Sequence, residues 1–227
     1  PPSEFGSHPV ATLSVAGQTG SQEYIPYTNR PLNWHTDGYY NHQDTQVRAV
    51  IMHCVRPVTE GGANSLLDPE LVYIKLRDFD QNLVGLLMTG DAMAIPANIQ
   101  NGETLRPVRR GPVFSVSGDN GKLHMRYTAR TKSIDWSSSL TAQNAAETIR
   151  QTLDSSSKES TKIRLGAHQG IICNNVLHTR EGFIDSFHRQ QRSTIFLTGT
   201  DQVLTSLATF SSRPTHNDSS ASASALR

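Results

Sequence analysis

A histidine and a carboxylate two positions apart, His35-Thr36-Asp37, open the chemistry of this chain. In an extended segment, side chains at i and i+2 point to the same face. Both can therefore close on one metal ion from a single strand end. Alone, the pair reads more simply as part of a polar loop beside Trp34, Tyr39 and Tyr40. A third ligand changes that balance. Two histidines and one carboxylate, with the other coordination positions open, form the facial set that holds non-haem Fe(II). His178 supplies the second histidine: it ends the strand-like run Ile171-Ile172-Cys173-Asn174-Asn175-Val176-Leu177-His178, where Thr179-Arg180-Glu181-Gly182 stops the strand. The remaining histidines fit less well. His53 lies mid-strand, His42 and His124 sit in polar surroundings, and His168 precedes a Gln-Gly turn.

Arg189 follows His178 by eleven residues, with Arg192 just beyond and the β-rich run Ser193 to Thr198 after it. A guanidinium is a bidentate partner for a carboxylate. Two arginines at the head of a strand usually make a solvated edge. Behind a metal-binding histidine they read as the anchor of a dicarboxylic acid.

The order His-x-Asp, a long interval, His, then Arg resembles the TauD/TfdA family of Fe(II)/2-oxoglutarate dioxygenases. Trp34-His35-Thr36-Asp37 looks like that family's metal-binding turn. Glu60-Gly61-Gly62-Ala63-Asn64-Ser65 is similar to its glycine-rich stretch, whose hydroxyl contacts 2-oxoglutarate. Asn175 to Phe183 resembles the second metal segment, closest to the γ-butyrobetaine and glutarate hydroxylase branches. The resemblance covers about residues 31–200. It implies Fe(II) on His35, Asp37 and His178, with 2-oxoglutarate and O2 as co-reactants. It also implies cosubstrate contacts from Ser65 and from Arg189 or Arg192. The spacing of ten intervening residues favours Arg189, whereas alignment on Ser193-Thr194-Ile195 favours Arg192. The glycine stretch carries an extra residue relative to the family, which moves the hydroxyl role to Ser65. The family's usual N-terminal part is short or missing here.

These residues need elements to hold them. Residues 46–56, 169–177 and 190–198 read as strands, and Val10 to Val15 as a short one. Asp68-Pro69-Glu70 reads as a helix start, with Asp68 as N-cap and Pro69 in the first turn. Ala145, Ala146, Ile149 and Leu153 recur at helical spacing over 141–154. Val113 to Val116 and Leu123 to Tyr127 flank a Gly-Asp-Asn-Gly turn and read as a hairpin. The fold class expected is mainly β with helical insertions, around a double-stranded β-helix (jelly-roll) core. One domain is expected over 1–210, with a disordered tail from 211 to 227. Residues 81–105 and 128–165 are expected to form lid and specificity segments.

Composition narrows the function. The chain has 227 residues, with 21 Lys+Arg against 20 Asp+Glu and a net charge of +1. That balance gives no electrostatic reason to expect nucleic acid or a membrane surface as partner. No apolar run approaches the roughly 18–20 residues a spanning helix needs. The two cysteines, Cys54 and Cys173, sit in apolar runs and read as buried free thiols of a reducing cytoplasm. A small-molecule substrate is expected, and a homo-oligomer is compatible with this reading. Two other functions use the same site: a non-catalytic jelly-roll binding protein and a zinc hydrolase. The zinc hydrolase explains neither the arginines nor the Gly-Gly stretch.

Overall fold

The computed structural model describes residues 10–13, 25–118, 121–130, 134–136, 140–184, 194–199, 208–211 and 222–225. The chain begins with β1 (Val10–Thr12), β2 (Leu32–His35), β3 (Ala49–Cys54), β4 (Glu60–Gly61) and β5 (Asn64–Leu67). Helices α1 (Pro69–Phe79) and α2 (Gln81–Leu87) follow. Next come β6 (Met93–Ile95), β7 (Asn98–Gln100), β8 (Glu103–Arg106), β9 (Arg109–Gly111), β10 (Phe114–Val116), β11 (Leu123–Met125) and β12 (Asp135–Trp136). Helix α3 (Leu140–Ser155) precedes β13 (Thr161–Ile163), β14 (Gln169–Cys173), β15 (Leu177–Arg180) and β16 (Phe183–Ile184). The last strands are β17 (Thr194–Gly199), β18 (Ala208–Ser211) and β19 (Ser222–Ala225).

Two antiparallel sheets make the jelly-roll core. One has the order β1-β17-β3-β14-β18-β19 and the other β13-β5-β15-β2. Their inner faces meet through Val50, Leu66, Ile171 and Cys173, with Val47 from the loop before β3. The pattern follows from strand geometry: Ile171 pairs with Met52 and Cys173 with Val50, so alternate residues line one face. Both cysteines are buried and free, as their apolar setting suggested.

The outer face of the four-stranded sheet is covered by the helices. Leu67 and Leu177 share a second core with Val72 and Leu76 of α1, Leu87 of α2, and Ile149 and Leu153 of α3. Helix α1 starts where its sequence dictates: the Asp68 carboxylate accepts from the Glu70 N–H at 2.9 Å, and Pro69 takes the first turn. Hairpin β10–β11 forms with Phe114 opposite Met125 and Ser115 opposite His124. Among the described residues no helix is long and apolar enough to cross a membrane.

Three expectations need correction. The run Ile171 to His178 is not one strand but two, in different sheets. Asn175 takes a left-handed backbone, with φ of 53°. Asn tolerates that conformation, and it turns the chain from β14 into β15. Second, 81–105 and 128–165 are not simply lids. Leu83, Val84, Met93, Ile95, Ala145, Ile149 and Leu153 are all buried core; within 81–105 the exposed stretches include 88–91 and hairpin β7–β8. Third, part of the tail is strand: Ser211 ends β18, and Ser222–Ala225 pairs with it as β19. Ladder hydrogen bonds use the backbone alone, so the lack of large side chains does not prevent pairing. The rest of the tail lies outside the described residues.

Candidate metal centre

The two histidines arrive on neighbouring strands of one sheet. Strand β15 pairs antiparallel with β2, and His178 stands directly opposite His35. Residues directly opposite in an antiparallel pair share a face. The imidazole centroids are 4.2 Å apart, tilted by 51°. Two residues past His35, Asp37 turns in beside them. Its Oδ1 lies 3.9 Å from His35 Nε2 and 3.8 Å from His178 Nε2. Metal bonds of roughly 2.0–2.2 Å allow two ligands of one ion to stand at most about 4.4 Å apart. Both gaps lie within that limit.

Hydrogen bonds set which nitrogen faces the ion. His35 Nδ1 sits 2.8 Å from the Asn33 carbonyl, and His178 Nδ1 sits 2.9 Å from the Val176 carbonyl. A carbonyl only accepts, so each Nδ1 carries the proton and each Nε2 presents its lone pair. Burial first, and then the neighbouring His178, push the His35 imidazole down to about 4. His35 is therefore neutral near pH 7, the form a metal needs. The Asp37 Oδ2 is buried and has no hydrogen-bond partner among the described residues. A buried carboxylate oxygen without a donor is costly; a cation is what would satisfy it. Two imidazoles that turn Nε2 inward and one carboxylate fit Fe(II).

The surrounding backbone holds these ligands from both sides. Thr36 is buried, its N–H donating to the Tyr127 carbonyl and its Oγ1 accepting from the Tyr127 N–H. The Ala129 N–H donates to the Trp34 carbonyl at 2.7 Å. Asn175 grips Asp37 end to end: its Oδ1 accepts from the Asp37 N–H at 2.7 Å. Its Nδ2 donates to the Asp37 carbonyl at 2.9 Å and to the Val47 carbonyl at 2.6 Å. The Asn175 amide is committed to this clamp.

The register corrects Ser65. On β15 and β5, His178 pairs with Leu66, Thr179 with Ser65 and Arg180 with Asn64. Ser65 therefore shares the helix-covered face with Leu67 and Leu177, away from the metal ligands. Asn64 and Leu66 lie on the ligand face, and Asn64 is buried. The residue on the ligand face is thus one position earlier in Gly61-Gly62-Ala63-Asn64-Ser65. Counting alternation back from a strand pairing with His178 would have found it. Gly61 and Gly62 both have positive φ, 74° and 70°. A Cβ at Gly61 would run into the Gly182 carbonyl, so the tight approach of β4 to β16 requires glycine.

Arg189 and Arg192 lie outside the described residues. Two other arginines, Arg126 and Arg180, are tied to backbone carbonyls. Arg126 is buried and donates to the carbonyls of Met93, Gly111 and Pro112. Arg180 donates to the carbonyls of Pro26, Thr28 and Arg30, tying down the segment before β2. Tyr127 packs into the helical core.

Comparison with known proteins agrees with this geometry. The family described as taurine catabolism dioxygenase TauD, TfdA family matches residues 3–196. A uridine-5'-phosphate dioxygenase from an Amycolatopsis species is 33% identical over 98 residues, 42% of this chain and 33% of that protein. A protein of the same name from a Streptomyces species is 30% identical over 114 residues, 50% of this chain and 40% of the relative. The matches thus span well under two thirds of these curated relatives. Among solved structures, an asparagine oxygenase in complex with Fe(II), 3-hydroxyasparagine and succinate has a TM-score of 0.59 at 16% identity, covering 83% of this chain and 56% of that one. The oxygenase OrfP with Fe and α-ketoglutaric acid has a TM-score of 0.60 at 14% identity, covering 86% and 57%. PvcB from Pseudomonas aeruginosa has a TM-score of 0.53 at 19% identity, covering 87% and 65%. At these identities the likeness to solved structures is one of fold.

Proposed function

The chain belongs to the TauD/TfdA dioxygenase family, and from that footing we propose that it is an Fe(II)- and 2-oxoglutarate-dependent dioxygenase hydroxylating a small polar or anionic metabolite. The carrying observation is the convergence of His35 Nε2, His178 Nε2 and Asp37, all within 4.8 Å of one another. Iron held there supplies oxygen activation, coupling decarboxylation of 2-oxoglutarate to succinate with hydroxylation of the substrate. The protein's own residues position and select. His35 and His178 present fixed tautomers, and Asn175 keeps Asp37 from swinging away. Asn64 faces the same side and is our choice, over Ser65, for a polar contact to the cosubstrate. An arginine ahead of β17, Arg189 or Arg192, is assigned the far carboxylate of 2-oxoglutarate.

The name of the two curated relatives supports a phosphorylated nucleoside as the first substrate to try. The two free, buried cysteines support a reducing cytoplasm as the enzyme's compartment. The zinc-hydrolase and binding-protein readings find no specific support. Anaerobic loading with Fe(II) and 2-oxoglutarate, then addition of O2, tests the proposal. Succinate should form in the wild type and not in His35→Ala or Asp37→Ala. Succinate at the wild-type rate in either variant overturns it.

A further inference from the structure

His35 and Asp37 stand closer than neighbours on one face of a regular strand. There, side chains at i and i+2 rise in parallel, about 6.6–6.8 Å apart. Here Asp37 Oδ1 lies 3.9 Å from His35 Nε2. Closing that gap takes a bend between the two ligands. Thr36 is the residue between them. It is fully buried, and it is not itself one of the three metal-facing groups.

The hydrogen bonds show how the bend is made. Residues 127–129 run antiparallel to β2, with Thr128 opposite His35. The Ala129 N–H donates to the Trp34 carbonyl at 2.7 Å, and the Thr36 N–H donates to the Tyr127 carbonyl at 3.0 Å. A ladder that continued would next send the Tyr127 N–H to the Thr36 carbonyl. That N–H goes instead to Thr36 Oγ1, at 3.1 Å. The side chain takes the place of its own carbonyl. The buried Tyr127 N–H keeps the acceptor it needs, and the Thr36 carbonyl is released from the ladder. Strand β2 therefore ends at His35, and residues 37–40 form a turn.

Both sides of that turn are fixed. The Tyr127 side chain is buried in the core that the helices share, so its N–H is a rigid post. Gly38 has a φ of 64°, and a Cβ there would meet Val47 Cγ2 at 2.6 Å, so the turn packs tightly on Val47. Asn175 bonds the Asp37 N–H and carbonyl. Asn175 thus fixes where Asp37 arrives, and Thr36 fixes the direction in which the chain leaves β2. We infer that the Thr36 hydroxyl is a positioning group for the metal ligands. Standing in for its own carbonyl, it ends the β2 ladder after His35 and turns the Asp37 carboxylate toward the two imidazoles. The role toward iron rests on the dioxygenase reading; the turn itself does not.

Thr36→Val keeps the shape and removes the hydroxyl, whereas Thr36→Ser keeps the hydroxyl. The full chains are titrated anaerobically with Fe(II). Thermal melts are run in parallel, and the visible charge-transfer absorption of iron with 2-oxoglutarate is recorded at saturation. Thr36→Val should lose about 10–100-fold in Fe(II) affinity, the usual cost of removing a group that orients a ligand, and its absorption should shift. Thr36→Ser should bind and absorb like the wild type. If Thr36→Val does not fold, Thr36→Ala replaces it and is compared with Thr36→Ser, from which it differs by the hydroxyl alone. Wild-type affinity and absorption in a folded hydroxyl-free variant overturn the inference, even at a lower melting temperature, because the hydroxyl then serves stability alone. So does a Thr36→Ser variant that loses as much affinity as the hydroxyl-free one. In both cases iron binding by the wild type leaves the dioxygenase standing. If the wild type takes up no Fe(II), that reading falls, and hydrogen exchange in the metal-free chain decides the turn. The peptide over 36–41 should then exchange faster in the hydroxyl-free variant than in Thr36→Ser; equal exchange overturns the role of the hydroxyl.

Discussion

The two oxygens of Asp37 face different surroundings. Oδ1 stands 3.9 and 3.8 Å from the two imidazoles, while Oδ2 is buried with no donor among the described residues. A metal ion resolves that imbalance, so Asp37→Asn should lose iron affinity by orders of magnitude and keep the fold. Iron stoichiometry after desalting checks it. Asn175→Ala removes three hydrogen bonds around the Asp37 loop. It should weaken iron binding and cost about 1–3 kcal/mol in denaturant unfolding. Asn64→Ala should raise the KM for 2-oxoglutarate, with Ser65→Ala near wild type; the reverse order would restore Ser65 to the site. His124 provides a pH signature. Its folded value near 4 lies below the ordinary 6.5, so between these the unfolded chain holds a proton the folded one lacks. Stability should therefore fall as pH drops from 6.5 towards 4, by up to about 3 kcal/mol from this group. His124→Gln should flatten that part of the profile, measured by urea unfolding at stepped pH.

At the scale of elements, the metal centre depends on a helical layer that never touches it. Leu177 precedes His178 on β15 and pairs with Leu67 of β5, and both side chains are buried in the core that α1, α2 and α3 share. Leu76 is fully buried in that layer. Leu76→Ala should cost about 2–5 kcal/mol, the usual range for a core cavity. Asp68→Ala removes the α1 cap and should cost about 1 kcal/mol. Both should leave iron stoichiometry at one per folded chain, because the ligand geometry is set by the β2–β15 pairing. Loss of iron at full folding in Leu76→Ala would mean that the helical layer positions the ligands directly.

For the whole molecule, ligand binding and folding are linked. On the proposed reading Fe(II) would bind only where β2 and β15 are paired, and so would stabilise the native chain by mass action. At a hundred times Kd the gain is about 2.7 kcal/mol, which raises Tm by roughly 5–10 °C for a chain of this size. Anaerobic thermal melts with and without Fe(II) measure it. His178→Ala should abolish the rise; a full rise in that variant would remove His178 from the ligand set.

That His35, Asp37 and His178 meet was legible from residue type and strand-end position, with the i, i+2 rule placing His35 and Asp37 on one face of a locally extended chain. The Asp68 cap, the α3 stripe and the β10–β11 hairpin were legible for the same reason: each is specified within a few residues. The face of Ser65 was not, because it depends on register against β15, a strand more than a hundred residues away. Nor was the division of Ile171 to His178 between two sheets. The run carries no Gly or Pro to mark its break, and the left-handed turn at Asn175 is stabilised by Asp37 and Val47, distant in sequence. The approach of Arg48 to His124 belongs to the same class: they carry no shared motif, and only the packing of a loop against a hairpin brings them together. Local chemistry is written along the chain, whereas which side chains face one another is decided by long-range pairing, whose free energy is shared among many contacts.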